Sequence, residues 1–111
     1  MQAAALASKL KADMDYYNAK ARVLQTKLNE MLNSYEADMQ WLNTVEERLE
    51  TLRVTKETKM DRLWFGNQQA LVSERLERTG IVAQVKLEMQ VEMVKAKAAI
   101  SKNLLQKLNE I

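Results

Sequence analysis

The stretch LKADMDYYNAKARVLQTKLNEMLNSY, residues 10–35, decides the fold. Apolar side chains recur in it at alternating steps of four and three, through Leu10, Met14, Tyr17, Ala21, Leu24, Leu28, Met31 and Tyr35. Such a seam lies along one side of a helix and asks for a second helix to cover it. The same phase carries on through Leu42, Val45, Leu49 and Leu52 to Leu63, with Asp38, Lys56 and Lys59 interrupting it. A loop would have no reason to keep the phase, so the pattern predicts one helix over residues 3–64. A competing reading breaks that helix at Asn33-Ser34, where Asn33 and Glu36 have capping-box spacing, and would give a three-helix bundle.

Composition agrees with a helical chain. The 111 residues include no Pro, no Cys, no His and only two Gly, and 47 % are hydrophobic and 29 % charged. Ala, Leu, Lys, Glu, Gln and Met predominate, all good helix formers. One all-α domain, residues 1–111, is expected.

Outward from the first helix, Trp64-Phe65-Gly66-Asn67 carries the stop signals: Gly can end a helix and Asn can cap the next one. The expected fold is therefore a long antiparallel helical hairpin, a coiled coil with its bend at Trp64, Phe65, Gly66 and Asn67. The returning helix covers 68–79 and 81–110, with a kink at Thr79-Gly80. Trp64 and Phe65 would close the bend against Met60, Leu63 and Leu71. Beyond Gly80, Val82, Val85, Met89, Met93, Ala96, Ile100, Leu104 and Ile111 follow an eleven-residue repeat with one miss at Lys107, which favours a straighter helix than heptads do or a slightly right-handed one. Residues 85–93 also alternate like a strand, but Lys, Leu, Glu, Met and Gln are helix formers and no turn bounds the run.

A bend at Gly66 places opposite charges together. Lys59 would meet Glu74, Lys56 Glu77, Glu57 Arg75, Glu46 and Glu47 Lys86, Asp38 Lys95, Glu36 Lys97, Glu30 Lys102 and Arg22 Glu110. Exposed pairs of this kind select register rather than hold a fold. The same arithmetic leaves the N-terminus without an opposite arm. Leu6, Leu10, Met14 and Tyr17, with a second stripe of Leu87, Val91, Val94, Ala98, Leu105 and Leu108, are then the candidate surface for a protein partner or a second copy, building a multi-helix bundle.

Seventeen Lys and Arg against fifteen Asp and Glu, without a long block of one sign, argue against a nucleic-acid binder. No apolar run is long enough for a membrane span, and no cleavable signal peptide opens the chain, which favours the cytoplasm. Without His or Cys, the usual proton shuttle, thiolate and soft metal ligands are missing. Asp13 with Asp15 and Glu46 with Glu47 read as solvated faces, and Gly66 and Gly80 build no phosphate loop. No enzyme activity, cofactor, metal or small-molecule substrate is expected.

Two resemblances follow from these residues. Gln40-Trp41-Leu42 through Leu49 resembles the first helix of a spectrin-type repeat. The hairpin with Trp64-Phe65-Gly66 at its bend resembles the WXG100-like small helical proteins of type VII secretion and their helical partners. That resemblance implies hairpins pairing into four-helix dimers, with Trp64 and Gly66 packing the turn, and a role in secretion or in escorting a helical cargo. The chain departs from the family in its N-terminal overhang and in having no Tyr after Tyr35, which implies a chaperone-like relative rather than an exported substrate. The alternative is a structural stalk or scaffold, as in export-apparatus or cytoskeletal adaptor coiled coils.

Overall fold

The computed structural model describes residues 2–55 and 59–110, and all of its elements are helices: α1 (Gln2–Thr55), α2 (Lys59–Thr79) and α3 (Ile81–Asn109). α1 runs through Asn33-Ser34 without a break, so the three-helix alternative falls. Residues 85–93 lie within α3, so the strand alternative falls too. Threonines inside these helices are reconciled with them by back-bonding. The hydroxyls of Thr26, Thr44, Thr51 and Thr79 donate to the carbonyls of Arg22, Gln40, Glu47 and Arg75, four residues earlier.

The chain forms two compact units, residues 1–29 with 85–111, and residues 30–84. In the first, α1 and α3 lie antiparallel: Met14 and Asn18 sit beside Ala98, Ala99 and Lys102, while Leu24 sits beside Gln90 and Val94. Its core is Ala21 and Leu28 from α1 against Val91, Val94, Ala98 and Ser101 from α3. In the second, α1 contributes Val45 and Asp38, and α2 contributes Val72.

The bend expected at Trp64, Phe65, Gly66 and Asn67 is not there, because α2 passes straight through all four. Gly permits a left-handed turn but does not impose one, and packing decides between the two. A covered stripe of Phe65, Gln68, Gln69, Val72, Leu76 and Thr79 continues through this stretch at helical spacing. Leu63, the last residue of the expected seam, is 62 % exposed. The heptad seam had therefore ended before it. α1 is described to Thr55 and α2 from Lys59, so residues 59–64, expected in the first helix, and 65–67, expected in the bend, belong to α2. Lys56 and Glu57, two of the expected charge partners, lie outside the described residues, as does the side chain of Lys59.

Gly80 is a break, as expected, and its geometry is specific. Its carbonyl accepts the backbone N–H of Gln84 at 2.9 Å, opening α3. The Gln84 side-chain amide donates to the Thr79 carbonyl at 2.8 Å, satisfying a group that the end of α2 leaves without a helical partner. A Cβ at position 80 would stand 3.0 Å from the Leu76 carbonyl oxygen, so glycine lets the backbone fold tightly here.

Candidate interaction surface

The register in which α1 meets α3 changes which faces are covered. Leu10, Met14 and Tyr17 are not an unpaired overhang: all three are half-buried, and the Lys97 amine sits over the Tyr17 ring, 5.6 Å from its centroid. Leu6 alone of that group stands largely in solvent. On α3, Val91 is 1 % exposed and Val94 is buried, while Leu87, Leu105 and Leu108 are half-buried. These five residues, expected to await a partner, form the seam against α1.

The period of the pattern explains the exchange. Leu87, Val91, Val94, Ala98, Ser101, Leu105 and Leu108 step by four and three throughout, the same heptad as the α1 seam. Two helices stay in contact over many turns when their stripes share a period. Ser101 was the missing member, passed over because it is polar. Ala21 and Ala98 are also small, which lets the two axes approach closely.

The eleven-residue stripe of α3 is consequently left outside. Val85, Met89, Met93, Ile100 and Leu104 are between 43 % and 59 % exposed, and Ala96 lies in line with them. Val85, Met89 and Met93 line a shallow groove whose rim carries Glu88 and Glu92. Covering a continuous file of large apolar side chains is favourable, because each loses unfavourable hydration when covered. Met is well suited to it, being flexible enough to fit an irregular neighbour.

A second, smaller exposed group lies on α2. Trp64 is 56 % exposed and meets Phe65 edge to face, with ring centroids 4.9 Å apart. The rings form a pair of their own, and Leu63 and Leu71, expected to receive them, stand in solvent.

The polar feature that distinguishes the second unit is Asp38. It was expected opposite Lys95 and instead accepts two hydrogen bonds from Arg75, from Nε at 2.9 Å and from Nη2 at 2.7 Å. The Asp38 side chain is 9 % exposed and that of Arg75 49 %. The hydrogen bonds from Arg75 hold the Asp38 carboxyl below its ordinary range; burial opposes this, and the arginine charge adds to it. The same hydrogen bonds raise the arginine. The two groups neutralise each other, which suits a structural fastening.

Among the described residues no group of three or more Asp, Glu, His or Cys could hold a metal ion, and no helix is long and apolar enough to cross a membrane. No family model, no curated protein and no solved structure matches the chain.

Proposed function

We propose that this chain is a non-enzymatic helical protein–protein interaction module that works through the outer stripe of α3. The observation that carries the reading is the continuous exposure of Val85, Met89, Met93, Ile100 and Leu104 on a helix whose opposite face is already committed to α1. Replacing both Met89 and Met93 by Glu in the full chain tests it. The helical circular dichroism should be unchanged, since both side chains are solvent-facing, while self-association or recovery of the native partner from source cells is lost. Undiminished association would sink the reading.

Within this class, a secretion escort and a structural scaffold remain the two roles in view. The resemblance to secretion-associated hairpins depended on Trp64-Phe65-Gly66 closing a turn, and these residues lie inside α2. The escort role is therefore supported by the helical hairpin alone, and the scaffold role by the same hairpin without need of the motif.

A further inference from the structure

The outer stripe of α3 has a period that α1 does not share. Val85, Met89, Met93, Ala96, Ile100 and Leu104 repeat every eleven residues, while the covered faces of α1 and α3 repeat every seven. A stripe of eleven-residue period stays in contact best with another of the same period. The exposed large apolar residues of α1, namely Leu6, Tyr16, Val23, Leu32 and Met39, are too widely spaced to form such a stripe, and those of α2, Leu63, Trp64 and Leu71, are too few. The matching surface is α3 itself. We propose that the outer stripe of α3 seats a second copy of this chain, with the two α3 helices parallel and in register; this rests on the interaction-module reading above.

The orientation comes from charge. On a helical projection, one shoulder of the stripe carries Glu92 and Asn103, and the other carries Lys86 and Lys97. When two helices pair in parallel, opposite shoulders meet, so Glu92 of each copy faces Lys97 of the other, five residues further on. Antiparallel pairing brings like shoulders together, setting Lys86 near Lys97 and Glu92 near Glu92. Glu92 is available for the exchange, because its contact with Lys95 is long, 3.8 Å, and both side chains are more than half exposed. Such pairs select an orientation while the apolar stripe supplies the affinity.

The absence of cysteine makes single-cysteine variants of the full chain direct reporters. Ile100→Cys should give a disulfide-linked dimer on mild oxidation, since parallel in-register pairing sets position 100 against itself, whereas the antiparallel register that brings Glu92 near Glu92 sets it near Val85. In a mixture of Val85→Cys and Ile100→Cys chains, links between positions 85 and 100, which that antiparallel register would join, should form more slowly, and the reverse order overturns the orientation. Glu92→Lys should weaken self-association in sedimentation by about tenfold, with recovery in the Glu92→Lys/Lys97→Glu chain; no change would overturn the charge argument. A native chain that sediments as a monomer at high micromolar concentration, together with unlinked Ile100→Cys, overturns the second copy altogether. In that case, loss of a different native partner by the Met89→Glu/Met93→Glu chain would leave the interaction-module reading standing, and retention of it would remove both.

Discussion

The two units solve the pairing of helices differently. In residues 1–29 with 85–111, heptad meets heptad and the buried side chains are, apart from Ser101, aliphatic. In residues 30–84, the covered stripe of α2 includes Gln68, Gln69 and Thr79, and the seam of α1 holds a carboxylate clamped by an arginine. The first unit is specified by packing, which is worth much but tolerates sliding by whole heptads. The second is specified by an ion pair, which contributes less net stability yet admits one register only, because moving either partner leaves a buried charge alone.

The harshest way to probe this contrast is Val91→Asp. Val91 is 1 % exposed, and a carboxylate there would be buried in the apolar seam between α1 and α3. The expected cost is above about 4 kcal/mol. Amide hydrogen exchange should show residues 1–29 and 85–111 losing protection while residues 30–84 retain theirs. Equal loss in both would mean that the two units melt as one, and the comparison would dissolve.

A milder test concerns Asp38 and its acid dependence. Asp38→Ala removes the acceptor from Arg75 and should lower the melting midpoint by about 5 °C. Because the folded state holds the Asp38 carboxyl below its ordinary range, the stability it contributes is present above that range. It should fade as the pH falls below about 4. Asp38→Ala should show a shallower acid limb, and an identical limb would show that the pair is not what acid breaks. Replacing both partners by Leu should recover the lost stability, since an apolar pair avoids desolvation, while blurring the register. Cross-linking between cysteines placed at positions 34 and 79 would report that blurring as slower, less selective linkage.

How much of this was legible in the sequence follows from the same physics. The helices, the Gly80 break and the α1 seam up to Val45 could be read because each rests on local chemistry or on a long unbroken period. The bend could not, because Gly66-Asn67 is a permissive signal, and the covered stripe from Phe65 to Thr79 that overrules it includes two glutamines and a threonine, which read as surface. That single displacement propagated. It set Asp38 opposite Lys95 instead of Arg75, left Leu10, Met14 and Tyr17 without partners, and turned α3 so that its inner and outer stripes changed places. Comparing the periods of the two α3 stripes with that of α1, and admitting Ser101 to the heptad, would have found the inner face.

The smallest effect separates the two glycines of α2 and its end. Gly66 lies in mid-helix with nothing within 4 Å of where a Cβ would project, and its backbone is not in the left-handed region. Alanine there fills open space and removes the entropy that glycine loses on folding, so Gly66→Ala should stabilise the protein by up to about 1 kcal/mol. Gly80 faces the opposite situation. A methyl group at that position would press on the Leu76 carbonyl oxygen at 3.0 Å, and backbone cannot swing aside as a flexible side chain would. Relief requires opening the turn, which strains the Gln84 bonds to Gly80 and Thr79. Gly80→Ala should therefore lower stability by about 1 kcal/mol or less. Paired melting curves decide the matter: a higher midpoint for Gly66→Ala beside a lower one for Gly80→Ala places the break at Gly80, whereas destabilisation by Gly66→Ala would restore residue 66 as a turn and undo the register on which both units rest.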